Sequence, residues 1–196
     1  MKKYIILASK SKRRSQILAS CGIGFKVYKA NVIEQLRQKT SIPKLVILNA
    51  RKKAQYAAKF YKNDIILGAD TLTYLKGKII GKPATKKDAR QILIDASASK
   101  MLVFTGLCLI DNQTGCVAEG CEKTELKIKK IDKKDIDKYL GLLKPYDRAG
   151  AFTIEGIGSI IFDDLKGSYF NVLGLPMGKL QELFKKIGLD ILDFVK

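Results

Sequence analysis

The chain alternates short apolar runs, typical of strands, with longer segments in which apolar residues recur every three or four positions, typical of helices. The first run, Tyr4–Ala8, predicts a buried strand. A polar, cationic turn over Ser9–Arg14 follows it, and the helix pattern that comes next ends at Gly22. A strand, a cationic loop and a helix start bring backbone N–H groups and guanidinium groups together, which favours phosphate binding.

The same alternation continues along the rest of the chain. Strands are predicted at Phe25–Ala30, Ile65–Ala69, Leu72–Leu75, Ile79–Ile80, Met101–Asp111 and Cys116–Ile131. Helices are predicted at Lys44–Tyr61, Thr85–Ala96, Asp132–Leu143 and after Pro176. This order predicts an α/β protein with two lobes facing a cleft, and no repeat or linker interrupts the 196 residues.

The composition of the chain excludes several classes of protein and of catalytic site. No apolar stretch approaches the roughly 18 residues of a membrane span, and the first apolar run is too short for a secretory signal, so we expect a cytoplasmic protein without a membrane partner. The chain contains no histidine, which excludes Ser-His-Asp and Cys-His catalysis and any histidine-ligated metal. A general base must therefore be a carboxylate, a lysine, a tyrosine or a metal-bound water.

The net charge of +18 predicts attraction to polyanions, whether nucleic acid, an anionic membrane or nucleotide phosphates. The 37 Lys and Arg residues occur along the whole chain, with 19 acidic residues interleaved. A nucleic-acid-binding protein more often concentrates its charge on one element and interleaves aromatic residues. The pattern favours a generally lysine-rich surface, and nucleic acid is not the expected partner.

Four charged residues form a candidate set for breaking a phosphoanhydride without histidine. Asp70 follows a buried strand, Glu34 lies in a polar loop, Lys53 lies in the second long helix and Lys82 follows a hairpin. Two carboxylates, a divalent ion and several cations are sufficient for this chemistry. The alternatives remain open at this point: Asp70 and Thr71 could form a turn, and the two lysines could be surface residues.

Short motifs follow one another in order from Ile6 to about Met177. They are L-A-S-K-S-K-R-R at Leu7–Arg14, A-R-K-K-A at Ala50–Ala54, G-A-D-T at Gly68–Thr71, G-K-P at Gly81–Pro83, T-G at Thr105–Gly106, D-R-A-G-A-F at Asp147–Phe152, E-G at Glu155–Gly156 and G-S-Y-F-N-V-L-G-L-P at Gly167–Pro176. In this order they resemble the Maf family, nucleoside triphosphate pyrophosphatases also described as septum-formation inhibitors. The resemblance implies a Maf/ITPase-like mixed sheet with flanking helices, two lobes around a deep cleft, and a single domain over residues 1–196.

The resemblance also implies an activity, namely hydrolysis of a nucleoside triphosphate to the monophosphate and pyrophosphate with Mg²⁺ or Mn²⁺, as house-cleaning of the nucleotide pool. On the matching positions, Asp70 would be the base or metal-water ligand, Glu34 the second catalytic carboxylate and metal ligand, and Lys82 a catalytic cation that also holds the triphosphate. The substrate-binding residues implied in the same way are Ser9, Arg13, Arg14 and Lys53 for the triphosphate, and Thr71 and Glu155 for the base. A homodimer is implied by the resemblance alone.

The base-recognition positions combine features of two branches of the family. This chain resembles the dTTP/UTP branch at Arg13 and Thr71, but that branch has Gln where this chain has Glu155, and the 7-methyl-GTP branch has Glu there. A Gln amide matches the donor and acceptors of uracil and thymine, whereas a carboxylate suits the two adjacent donors of guanine. We therefore expect better tolerance of guanine-type or modified bases than in the pyrimidine branch.

Two functions other than catalysis remain open from the sequence. The basic surface could serve a nucleic-acid-binding module, or the chain could regulate cell division by binding protein partners, as the family's older description suggests. The acidic and basic residues quoted above favour catalysis, since a pure binding protein needs no buried carboxylate facing phosphates.

Overall fold

A computed structural model describes residues 3–35, 40–143 and 152–196 of the chain. The strands are β1 (Ile5–Ala8), β2 (Phe25–Val27), β3 (Ile65–Leu75), β4 (Lys78–Ile80), β5 (Lys100–Asp111), β6 (Val117–Ile128) and β7 (Phe162–Lys166). The α-helices are α1 (Lys12–Ser20), α2 (Ile42–Ala58), α3 (Lys86–Ala96), α4 (Lys133–Leu142), α5 (Tyr169–Leu173) and α6 (Met177–Lys186), with 3₁₀ helices at Gly156–Ile161 and Ile191–Phe194. Within these ranges, no helix is both long enough and apolar enough to span a bilayer.

The strands in the described ranges form one seven-stranded mixed sheet in the order β2-β1-β3-β5-β6-β7, with β4 paired to β3. Strand β1 is parallel to both β2 and β3, while the β3–β4 and β6–β7 pairs are antiparallel. Helices flank this sheet, which confirms the predicted fold class.

The chain divides into two compact units. The first contains Met1–Thr71, Thr105–Glu122 and Leu173–Lys196, and in its core the alanines of α2 pack with Ile6 and Ile66. The second contains Leu72–Phe104 and Lys123–Val172, and its core is built on apolar residues of α3, α4, β5 and β6. The single-domain organisation and the cleft expected between two lobes stay predictions.

Two glycines let α2 lie directly against its neighbouring strands in the first unit. A Cβ added at Gly68 of β3 would lie 2.1 Å from the carbonyl oxygen of Ala50, and one at Gly106 of β5 would lie 2.3 Å from the carbonyl carbon of Val46. Real Cβ atoms do not approach backbone atoms so closely. Glycine at both positions is therefore a packing requirement, and each belongs to one of the short motifs found in the sequence.

The ends of several elements differ from the prediction. A turn at Asp70 and Thr71 was one interpretation of the sequence, but both residues lie inside the continuous strand β3. The buried Asp70 carboxylate is tolerated there because Lys53 and Asn49 hydrogen-bond to it. Strand β2 ends at Val27 rather than at Ala30. The predicted start of α3 is confirmed, since a reciprocal capping box joins Thr85 and Asp88.

Candidate active site

Helix α2 presents polar residues on the face that it buries. Ser41 occupies its N-cap position and Pro43 lies in its first turn, where the missing N–H of proline costs nothing. Leu45, Asn49 and Lys53 follow at intervals of four residues, which places them on one side of the helix. All three are buried, so the amide and the ammonium group need hydrogen-bond partners inside the protein. Both polar groups point to specific partners on neighbouring segments.

Lys53 joins the two carboxylates predicted for the site. Its Nζ lies 2.8 Å from Asp70 Oδ1 and 2.7 Å from Glu34 Oε1, and it also donates to the carbonyl oxygen of Ala69 at 3.1 Å. Asp70 is only 4% exposed, whereas the Glu34 side chain is 47% exposed. The structure therefore brings Glu34, Lys53 and Asp70 into one cluster with a buried end and an open end.

Asn49 holds the other side of the Asp70 carboxylate. Its Nδ2 donates to Asp70 Oδ2 at 2.9 Å and to the carbonyl oxygen of Gln35 at 2.9 Å, while its Oδ1 accepts from the Gln35 N–H at 2.9 Å. The two Asp70 oxygens thus have different donors, Lys53 on Oδ1 and Asn49 on Oδ2. Such charge-assisted bonds fix the orientation of the carboxylate as well as its position.

Arg14 organises a second group of predicted residues. It lies in α1 and is buried, and its Nη1 donates to Ser9 Oγ at 2.9 Å and to the carbonyl oxygen of Ala69 at 3.0 Å. Nη2 donates to Thr71 Oγ1 at 2.9 Å, and Nε donates to the carbonyl oxygen of Gly174 at 2.8 Å. Four of the five N–H groups of this guanidinium therefore bind protein acceptors. Arg14 positions Ser9 and Thr71 in addition to carrying a charge.

The two groups meet at one peptide carbonyl. The Ala69 oxygen accepts from both Lys53 and Arg14, so the two cations lie close to each other and to the carboxylates. Burial lowers the pKa of Arg14 from its ordinary value, and the charges of Asp70 and Glu34 oppose that shift. With two cations and two carboxylates, the cluster is balanced in charge before any phosphate or metal ion enters.

The donor set of this cluster fits a divalent cation. Glu34 and Asp70 bind the same ammonium group, so their oxygens converge on one position. In the described part of the chain, no group of three His, Cys, Asp or Glu side chains is arranged to bind a metal ion. The buried Oε1 of Gln35 has no hydrogen-bond partner among the described residues. Mg²⁺ characteristically takes one or two carboxylates and completes its coordination with water and substrate phosphates. The two carboxylates of Glu34 and Asp70 are therefore enough protein ligands for Mg²⁺.

The other predicted site residues are Arg13, Lys82 and Glu155. Arg13 is half-buried in the first turn of α1. Lys82 is exposed on the loop after β4, and Glu155 is exposed at the N-cap of the 3₁₀ helix Gly156–Ile161, both within the second unit. Their roles stay predictions, and Asp147–Ala151 of the D-R-A-G-A-F motif lie outside the described residues.

Two residues of the site were missed by the sequence reasoning. Asn49 carries a detectable signal, because it is a polar residue on the apolar stripe of α2, four positions before Lys53. Thr105 is fully buried, and its hydroxyl lies 2.9 Å from that of Thr71. Its only signal was membership of the T-G motif, which says nothing about its partner.

Known proteins are similar in sequence to this chain over nearly its full length. The dTTP/UTP pyrophosphatase of Dictyoglomus thermophilum is 37% identical over 193 residues, covering 98% of this chain and 100% of that protein. Proteins of the same name from Halalkalibacterium halodurans and Desulforamulus reducens are 38% and 36% identical, covering 95% of this chain and 97% and 98% of their own lengths. A structure of the Staphylococcus aureus Ham1 protein aligns with a TM-score of 0.46 and 14% identity, over 64% of this chain and 72% of that one.

A sequence model of the family described as Maf-like protein matches residues 4–187. This match covers nearly the whole chain and includes every element that builds the cluster around Asp70. The chain therefore belongs to the Maf-like protein family.

Proposed function

We propose that the protein hydrolyses nucleoside triphosphates to nucleoside monophosphate and pyrophosphate, and that its substrates are dTTP/UTP-type or modified nucleotides. Relatives named dTTP/UTP pyrophosphatase, 36% to 38% identical over nearly full length, support a nucleoside triphosphate pyrophosphatase, a hydrolase. The observation that carries the proposal is the cluster of Asp70, Lys53 and Glu34, which is buried at Asp70 and open to solvent at Glu34. The proposed setting is the cytoplasm, where the enzyme would clear unwanted nucleotides from the pool.

In the proposed reaction a water oxygen attacks the α-phosphorus, and the bond to the oxygen bridging the α- and β-phosphates breaks. The proton of the water passes to the Asp70 carboxylate, and the bridging oxygen leaves with pyrophosphate. Lys53 and Asn49 support this role, because they hold both carboxylate oxygens of Asp70 in one orientation. A positioned general base typically contributes about a hundredfold to ten-thousandfold in rate.

The cationic side chains would neutralise negative charge on the triphosphate and on the leaving pyrophosphate. Lys53 and Arg14 are already buried beside Asp70, so their charges act through a medium of low dielectric. Ser9 is held by Arg14 through its hydroxyl, and we assign it, with Arg13, to the phosphates. Lys82 completes the proposed set as a cation for the leaving group.

A divalent cation, Mg²⁺ or Mn²⁺, would be held by Glu34 and Asp70 and would supply further neutralisation of the phosphate charge. The exposed end of Glu34 supports this assignment, since a group shared with substrate phosphates must remain open to solvent. The Nζ of Lys53 lies within 2.8 Å of an oxygen of each carboxylate. It keeps two like charges together and so preserves the site for the cation.

Base recognition is assigned to Thr71 and Glu155. The Thr71 hydroxyl is oriented by Arg14 and Thr105, so it offers a fixed polar contact. Glu155 supplies acceptors only, which suit the N1–H and amino group of guanine better than a pyrimidine carbonyl. The nucleic-acid-binding and cell-division alternatives gain no support from the contacts or the comparisons, and the homodimer stays a prediction.

The proposal is tested with purified protein, Mg²⁺ or Mn²⁺, and a panel containing dTTP, UTP, CTP, GTP and 7-methyl-GTP. Chromatography should resolve monophosphate and pyrophosphate as products. Asp70→Asn should abolish detectable turnover, a loss of at least about a hundredfold, while the far-UV circular dichroism stays unchanged. Asp64→Asn is the matched control, because Asp64 immediately precedes the same strand and its carboxylate accepts the Tyr4 N–H. An active Asp70→Asn protein would refute the assignment.

A further inference from the structure

One buried amide connects two segments of the candidate active site that are far apart in sequence. Asn49 is 1% exposed, and both hydrogens of its Nδ2 are used, one on the Asp70 carboxylate and one on the Gln35 carbonyl oxygen. Its Oδ1 accepts the Gln35 N–H, so Gln35 is held at both backbone polar groups. Gln35 follows Glu34 directly, so this side chain links Asp70 to the loop that carries Glu34.

We propose that Asn49 is a positioning residue that sets the relative geometry of the Asp70 and Glu34 carboxylates, and thereby kcat. This inference rests on the proposed function, because it assigns catalytic work to those two carboxylates. Lys53 also contacts both of them, but its four-carbon stem is flexible and an ammonium group is a point charge without directional preference. The planar amide of Asn49, with three short bonds, fixes direction as well as distance.

Lys53 and Asn49 restrain different oxygens of the Asp70 carboxylate. Lys53 binds Oδ1 and Asn49 binds Oδ2, so loss of the Asn49 bond leaves the carboxylate free to rotate about its remaining partner. Loss of the two Gln35 bonds releases the backbone beside Glu34. Asn49 itself is buried and does not need to touch the nucleotide. Its removal should therefore act on kcat far more than on the KM for nucleotide.

A purely structural role for Asn49 makes a different prediction. A buried amide that only satisfies backbone groups would lower stability when removed and leave turnover unchanged. Asn112 provides the matched control, because its Nδ2 donates to the carbonyl oxygens of Ala58, the last residue of the same helix, and of Tyr61, three residues further on. Asn112→Ala removes two bonds to backbone near α2 without touching Asp70.

The experiment compares wild type, Asn49→Leu, Asn49→Asp and Asn112→Ala by steady-state kinetics, thermal unfolding and hydrogen exchange of the Gln35 amide. Asn49→Leu should lower kcat at least about tenfold, change KM less than about twofold, and accelerate exchange at Gln35. Asn49→Asp, which keeps the size but loses both donations, should lower kcat similarly. Asn112→Ala should lower the melting temperature and leave kcat and the Gln35 amide unchanged.

Wild-type kcat in a folded Asn49 variant, or an equal loss of kcat in Asn112→Ala, would overturn the proposal. Failure of both Asn49 variants to fold, while Asn112→Ala folds, would assign Asn49 to stability and would overturn it as well. A wild-type protein without turnover on any nucleotide is a failure of the proposed function instead. In that case unchanged exchange at Gln35 in Asn49→Leu would still refute the link between Asn49 and the Glu34 loop.

Discussion

Replacing Gly68 with alanine tests whether the close packing of α2 on β3 determines the geometry around Asp70. Gly68 lies two residues before Asp70 on the same strand, so both residues face the same side of the sheet. A Cβ at this position would meet the Ala50 carbonyl oxygen at 2.1 Å and the Ala54 nitrogen at 2.9 Å. Both are backbone atoms of α2, so no side chain can rotate away to make room.

The magnitude follows from the distance that the helix must move. Ordinary van der Waals contact begins at 3.4 Å, so α2 must retreat by about 1 Å. The long Lys53 side chain can follow such a shift, but the short Asn49 cannot, and its 2.9 Å bond to Asp70 would stretch beyond the ordinary range. A misplacement of about 1 Å at a catalytic group can lower the rate about a hundredfold. Overpacking of this kind also costs about 1–3 kcal/mol in the free energy of unfolding.

The assay measures kcat on the best nucleotide together with the melting temperature. Gly178→Ala is the control variant, since Gly178 lies in α6 of the same unit and an added Cβ there meets nothing within 4 Å. We expect Gly68→Ala to be folded but less stable, with kcat reduced about a hundredfold, and Gly178→Ala to resemble wild type. A Gly68→Ala protein with a lower melting temperature and wild-type kcat would show that the packing of α2 on β3 does not control the geometry around Asp70.

Three further outcomes are expected. Glu155→Gln should lower the ratio of kcat/KM for GTP over dTTP about tenfold, since a charged hydrogen-bond acceptor is lost; an unchanged ratio contradicts a role for Glu155 in base recognition. Raising the salt concentration should lower kcat/KM for triphosphates, because a protein of net charge +18 attracts them over a distance that ions screen; a flat salt profile excludes such steering. Chelation with EDTA should abolish turnover, and added Mg²⁺ or Mn²⁺ should restore it. Full activity in EDTA would show that Glu34 does not act as a metal ligand in the reaction.

Local features of the fold could be predicted from the sequence. The strand β1 and helix α1 with the cationic turn between them are present, and so is the Thr85–Asp88 capping box. These features depend on neighbouring residues, so periodicity and capping chemistry are enough to find them. The position of Asp70 after a buried apolar run also indicated this carboxylate, which the structure brings together with Lys53 and Glu34.

What could not be predicted depends on contacts between distant residues. Strand β3 continues through Asp70 because Lys53 and Asn49, 17 and 21 residues earlier, satisfy its carboxylate. The glycines of the G-A-D-T and T-G motifs are recognisable in the sequence as motif residues. Glycine is required at both positions because α2 lies so close to them, and the sequence alone does not show this contact. The sequence predicts phosphate binding by Arg14, which stays a prediction, and it does not indicate the four protein acceptors that this guanidinium binds.

We propose that water attacks the α-phosphorus of a nucleoside triphosphate in the site around Asp70. Turnover in water enriched in ¹⁸O, followed by mass spectrometry of the products, identifies the phosphorus that is attacked. One ¹⁸O atom is expected in the nucleoside monophosphate and none in the pyrophosphate. Label in the pyrophosphate, or release of orthophosphate in place of pyrophosphate, would exclude attack at the α-phosphorus.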